Sequence, residues 1–227
     1  TPALAQDSPD DLRARTERRT QATALVREIP NATDERLTEI EIELARLGDE
    51  GVVALKVVGL GGSFDQRQRV LAMARRIRWR RVADHAPGAK GDVIAIMASQ
   101  DDKARAEVVD QVAQAVSLDS LPFLTECLAD DQAYLRQRAI DAMVEIGRKN
   151  RERRTDIADI LQRRLDTHDR NLQLLLVNAL SKLGSVDVEK LAPLLTSPSR
   201  EIRRTVVLAM GNSRDQAMLD HVEPLLR

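Results

Sequence analysis

The sequence predicts an all-α fold, a right-handed α-solenoid of stacked helix pairs, and three observations predict it. The first is a frame that occurs six times: Arg36, Gln66, Ala104, Leu135, Leu172 and Ile202 begin equivalent segments, at steps of 30, 38, 31, 37 and 30 residues. The second is the periodicity inside that frame. Four positions after the start stand Ile40, Val70, Val108, Ala139, Leu176 and Val206, and eight after it Leu44, Ala74, Val112, Met143, Leu180 and Met210. All are apolar, and this spacing puts them on one helical stripe that a neighbour must bury. The third is composition. Hydrophobic residues are 43% of the 227 but aromatics only 2%, so Leu, Val, Ile and Ala must fill the core, which suits closely approaching helices. A repeat of this length with helical spacing marks two-helix units stacked into one elongated domain.

The clearest copy is YLRQRAIDAMVEIG, Tyr134 to Gly147, with Leu135, Ala139, Ile140, Ala142, Met143 and Ile146 on the stripe. Gly147 is expected to end the helix, and Gly48 and Gly184 hold the same stop position, replaced elsewhere by Arg78, Val116 and Arg214. One position after each start stand Leu37, Arg67, Arg105, Arg136, Gln173 and Arg203, so four copies of six carry Arg just inside the helix.

Segments such as YLRQRAIDAMVEIG and EIRRTVVLAMGNS resemble the second helix of HEAT repeats, in particular the short HEAT-like repeats also found in phycobilin lyases. The likeness covers most of residues 34 to 227. It implies HEAT-like helix pairs whose second helices line a concave face. It implies a family of scaffolds and adaptors with a minority of enzymes, and departs from the pattern at Gln173, Gln66, Arg36 and the long steps.

Taken in order, residues 1–9 read as a disordered N-terminal segment, and 10–227 as the solenoid. Ala3-Leu4-Ala5 before Gln6 has the small-x-small form of a signal-peptidase site, although an alanine-rich cytoplasmic chain produces such a triplet by chance. Export and a cytoplasmic location both stay open. No apolar run approaches the length needed to span a membrane. Asp10 to Glu28 is predicted to be a polar capping helix ended by Pro30, and Asp34 the N-cap of the next. Gly59, Gly61 and Gly62 break the apolar helix that follows Gly48 and read as a turn, since GLGG has neither a preceding strand nor a following Lys-Ser/Thr for a phosphate loop. ADHAPGAKGD, 83–92, is a loop that accounts for the step of 38. Asp215 to Leu226 reads as a first helix, with Met218, Leu219, Val222, Leu225 and Leu226 as its stripe. With no second helix behind that stripe, the expectation is a longer reading frame or cover from another domain or subunit.

Residues 66–82, QRQRVLAMARRIRWRRV, hold seven Arg and no acid around the single Trp79. One reading is an anion site for phosphate, nucleic acid or an acidic partner, using Arg75, Arg76, Arg78, Arg80 and Arg81, with Trp79 for stacking. The other is a helix end whose arginines complement the dipole and pair with neighbouring acids. A formal net charge of -1 and the scarcity of aromatics favour the second. Arg105, Arg136 and Arg203 are expected to bond the acids Asp101, Asp102, Asp130, Asp131 and Asp169 of adjacent turns.

Catalytic chemistry finds little support. His85, His168 and His221 lie far apart without metal-ligand spacing, and Cys127, beside Leu124 and Leu128, is predicted to be a buried thiol. No metal or cofactor is expected. Asp110, Asp141 and Asn178 share one repeat position and predict a polar row on the concave face. The function read from the chain is a non-catalytic scaffold or adaptor that binds a protein partner there. One alternative is a nucleic-acid-binding protein of the HEAT-like DNA glycosylase type using segment 67–81, and another is a chromophore-lyase-like chaperone implied by the family likeness alone.

Overall fold

A computed structural model describes residues 9–59, 63–213 and 221. Among these the chain forms twelve α-helices joined by turns and short 3-10 segments, with no strand. It divides into two compact units, residues 1–84 with 91–101, and residues 85–90 with 102–227.

The first unit holds α1 (Pro9–Glu28), α2 (Asp34–Arg46), α3 (Asp49–Gly59), α4 (Phe64–Arg80) and α5 (Val93–Ala98). Its core takes in the predicted stripe residues Ile40, Leu44 and Val70, with Ala74 partly buried against it. Ile40 and Leu44 of α2, Leu55 of α3 and Val70, Met73 and Ile77 of α4 meet Ala22, Leu25 and Val26 of α1. The polar helix α1 thus contributes only one apolar edge, laid mainly on α3. Thr33, not Asp34, is the N-cap of α2: its hydroxyl accepts from the Arg36 amide at 3.3 Å, and Asp34 is already helical. Both residue types cap well, and the extended backbone at Thr33 decides between them.

The second unit holds α6 (Asp102–Ala115), α7 (Leu121–Cys127), α8 (Ala133–Lys149), α9 (Arg154–Gln162), α10 (Arg170–Leu183), α11 (Val188–Leu191, prolonged by a 3-10 turn to Thr196) and α12 (Arg200–Ser213). Here α8 packs on α6, α10 on α8 and α12 on α10, and α7, α9 and α11 each lie beside the helix that follows them. The stripe positions Val108, Val112, Ala139, Met143, Leu176, Leu180, Val206 and Met210 are all buried, and Cys127 is buried with them. Asp169 caps α10, accepting from the amides of Asn171 and Leu172 at 2.9 and 3.1 Å.

The stop position is real but is used in two ways. Gly48 and Gly184 turn left-handed there, with φ of 65° and 63°, and Val116 does the same at 44° although a β-branched residue resists that region. Gly147 does not end its helix, since α8 runs on to Lys149. A methyl group at 147 would stand 2.7 Å from Leu183 Cδ2 and 3.4 Å from Ile157 Cδ1. The glycine is there to let α10 and α9 come close. Of the other sequence expectations, Gly61, Gly62, the 1–8 segment with its Ala3-Leu4-Ala5 triplet, and most of the 215–226 helix lie outside the described residues.

Two substitutions separate these roles. Gly147→Val is expected to destabilise the second unit by about 1–3 kcal/mol through overpacking. Gly211→Ala, in α12 with nothing within 4 Å of its added methyl, should stabilise it by roughly 0.5–1 kcal/mol through helix propensity. Urea unfolding followed by circular dichroism measures both, and equal effects of one sign would refute the distinction.

Candidate binding surface

Of the arginines one step inside the second helices, Arg105, Arg136 and Arg203 face inward to the loops, while Arg67 is exposed. Arg105 and Asp130 are both buried, with side chains 6% and 5% exposed, and the Arg105 guanidinium donates to the Asp130 carboxylate. It also reaches Asp131 at 3.3 Å and Asp102 at 3.5 Å. Burial pushes the Asp130 carboxyl above its usual range, while hydrogen bonding from Asp130, and then from Arg105, holds Asp131 below it. Arg136 donates to the backbone carbonyls of Asp130 and Asp131 at 2.7 and 3.0 Å and to the Asp169 carboxylate at 2.7 Å. Gln173, standing where Arg is usual, donates to the Leu165 carbonyl at 3.1 Å, and Arg203 to that of Ser197 at 2.6 Å. These side chains fasten helix to loop and are not presented as a basic groove.

The predicted row lies outward. Asp110, Asp141 and Asn178 occur on α6, α8 and α10, three helices packed in sequence, and all remain accessible. Asp110 meets Arg138 at 3.2 Å, and Asp141 meets Lys182 at 3.9 Å. Tyr134 belongs to the same surface and escaped the sequence reading. It is half-exposed, its hydroxyl accepts from Arg138 Nε at 2.7 Å, and the guanidinium lies 5.1 Å from the ring centroid. The hydrogen bond to Tyr134, with Asp110 nearby, raises the basicity of Arg138. The i,i+4 spacing of Tyr134 and Arg138 was the available signal.

The basic segment is placed differently from its expected role in one respect. Trp79 is 1% exposed and part of the interior, so its ring offers no face for stacking a base. Two positions along a helix point to different faces, so Trp79 is not buried by the edge that holds the fully buried Ile77 but marks a second buried edge of α4. Around it, Arg76 and Arg80 both bind the buried Glu41 of α2, at 2.6 and 2.9 Å. Arg81 binds Asp49 at 2.6 Å, Arg75 donates to the Ala98 carbonyl at 3.2 Å, and Arg78 lies 5.1 Å from the Trp79 ring centroid. Glu41 was missed because it interrupts an apolar face, and its two arginine partners are 35 and 39 residues away.

A second polar cleft, in the second unit, brings together Asp130, Arg136, Arg163, Arg164, His168 and Asp169. Among the described residues it is lined, with Asp166, by three carboxylates and three arginines, so it favours neither sign of ligand. His221, on the last described residue, meets Glu189 at 3.1 Å. No cluster of three or more His, Cys, Asp or Glu able to hold a metal occurs among the described residues, and none of their helices is long and apolar enough to cross a membrane.

No family model and no curated protein matches the sequence. Among the solved structures that match is the crystal structure of an engineered protein, 18% identical over 90% of this chain and 84% of that one, with a TM-score of 0.37. That likeness is too slight to carry a fold or a function across.

The two kinds of ion pair should differ in stability. Arg105→Ala leaves Asp130 buried and uncompensated and is expected to cost about 3–5 kcal/mol. Arg81→Ala, at an exposed pair, should cost roughly 0–1 kcal/mol. Chemical denaturation of the two variants beside the parent protein reads the difference, and similar costs would show that burial does not set the strength of the loop contact.

Proposed function

We propose that the chain is a right-handed solenoid of HEAT-like helix pairs acting as a non-catalytic scaffold, and that a protein partner binds along the concave face its second helices would line. The observation that carries this reading is the row Asp110, Asp141 and Asn178: the same repeat position, on successive packed helices, kept polar and accessible where the core has no need of it. Tyr134 and Arg138 strengthen the reading, because an accessible tyrosine held by an arginine is a rigid amphipathic contact of the kind that anchors protein interfaces. The acids on the row have basic neighbours on adjacent helices, which pre-orders them and keeps the cost of immobilising them on binding small.

Segment 67–81 lends less to a nucleic-acid reading. Arg75, Arg76, Arg80 and Arg81 are engaged within the protein and Trp79 is buried, so free cations and a stacking platform, the two requirements for holding a strand, are both reduced.

The triple substitution Asp110→Ala, Asp141→Ala and Asn178→Ala is expected to weaken binding of a partner captured by the wild-type protein by about tenfold or more, with thermal unfolding almost unmoved. Titration of the captured partner against both proteins measures this. A variant that binds normally, or that unfolds early, would make the row idle or structural. In parallel, duplex DNA and heparin at low salt should show no steeply salt-dependent binding; such binding would restore the nucleic-acid alternative.

A further inference from the structure

The second helices of the second unit occupy equivalent frames, so their surfaces can be compared position by position. Five residues after the frame start, Val109, Ile140 and Val177 are each 2% exposed or less, but Val207 on α12 is 36% exposed. One residue further on, α6, α8 and α10 carry the polar Asp110, Asp141 and Asn178, whereas α12 carries Leu208, 58% exposed. These two side chains line a shallow, mainly apolar groove with Leu195, Arg200, Arg203 and Arg204, and no acid is among its described lining residues. Arg203 is occupied by the Ser197 carbonyl. Among the described residues, Arg200 and Arg204 have no hydrogen-bonded or ion-paired partner, and Glu201 on the same helix pairs with neither.

We propose that this face of α12 is a docking site for an acidic amphipathic helix of a partner protein, whose apolar stripe covers Val207 and Leu208 and whose carboxylates meet Arg200 and Arg204. Val207 is open at a position closed on the three preceding helices, and Leu208 is apolar at a position that is polar and accessible on them, so the pair forms an exposed apolar patch suited to being covered. The two unpaired guanidiniums at its rim then decide the sign of the partner. Pairing of two copies through this same face would set Arg200 and Arg204 against their own kind, so charge complementarity points away from self-association. Apolar anchors at helical spacing flanked by charge are how a groove recognises a single helix. The site concerns α12 alone and does not depend on the Asp110 row.

The test is a titration of the full chain, by fluorescence anisotropy, against a labelled synthetic helix of Leu and Glu with Leu at i, i+3, i+4 and i+7. A Leu/Lys peptide of the same pattern and vesicles of phosphatidylserine with phosphatidylcholine serve as the other arms. The Leu/Glu peptide is expected to bind at least about tenfold more tightly than the Leu/Lys peptide and to weaken as salt is raised. Leu208→Asp restores the residue type found at 110 and 141, and it should weaken binding by about tenfold or more without lowering the melting temperature. Arg200→Glu with Arg204→Glu should reverse the preference between the two peptides. Absence of binding, equal binding of both peptides or a preference for the vesicles would overturn the proposal. So would a Leu208→Asp variant that melts early or changes oligomeric state with its peptide affinity unaltered, since the face would then be covered by residues 214–227 or by a second copy.

Discussion

A guanidinium that leaves water must find a compensating charge inside the protein, and that demand organises the loops of the second unit. It does so even though Nε of Arg105 and of Arg136 stays buried without a hydrogen-bond partner among the described residues. Arg105 is buried with Asp130, and Asp130 also accepts from the Gln132 amide at 2.9 Å, so one carboxylate fixes both the arginine and the turn that leads into α8. Arg136 repeats the arrangement one helix later by clasping two carbonyls of the same turn and reaching to Asp169, itself the N-cap of α10. The chain thus ties the start of each helix to the start of the next through charge, while the apolar stripes bury the bodies of the helices. At the third step the pattern softens consistently on both sides. Position 173 is Gln, and the corresponding cap of α12 is Ser199, so a neutral donor stands where no carboxylate awaits it.

This inward use of charge engages several of the 35 basic and 36 acidic residues of the sequence within the protein. In the first unit the same economy operates around Glu41, where a buried acid gathers two of the seven arginines that dominate the local sequence. On the accessible side of α6 and α8, Asp110 and Asp141 are each balanced by a single cation on a neighbouring helix, while α10 carries the neutral Asn178 and α12 the apolar Leu208 at the same position.

The helices and their buried faces could be read from the sequence because a stripe of Val108 and Val112, or Leu176 and Leu180, is a local signal with a fixed period. That Asp110, Asp141 and Asn178 stay accessible could be read for the same reason, since they fall off the buried stripe. Less legible were features that depend on partners distant in sequence. Gly147 looked like a stop because glycine often is one, and only the approach of Leu183 and Ile157 reveals it as a spacer. Trp79 looked available because it stands among arginines, yet the helix turns its ring to the interior while they pair outside it. Val116 carried no glycine to announce the left-handed turn it makes. Leu208 was visible as a letter but gained meaning only when the burial of Val109, Ile140 and Val177 showed that α12 differs from its predecessors.

The placement of the aromatic residues gives the molecule a convenient optical property. Its single tryptophan, Trp79, is enclosed in the first unit, and its single tyrosine, Tyr134, stands at the surface of the second beneath the Arg138 guanidinium. Tryptophan emission therefore reports on the interior of one unit, and tyrosine absorbance on the outer surface of the other. The two units carry separate native chromophores, and the order in which they lose structure can be followed by colour without attaching a label to either.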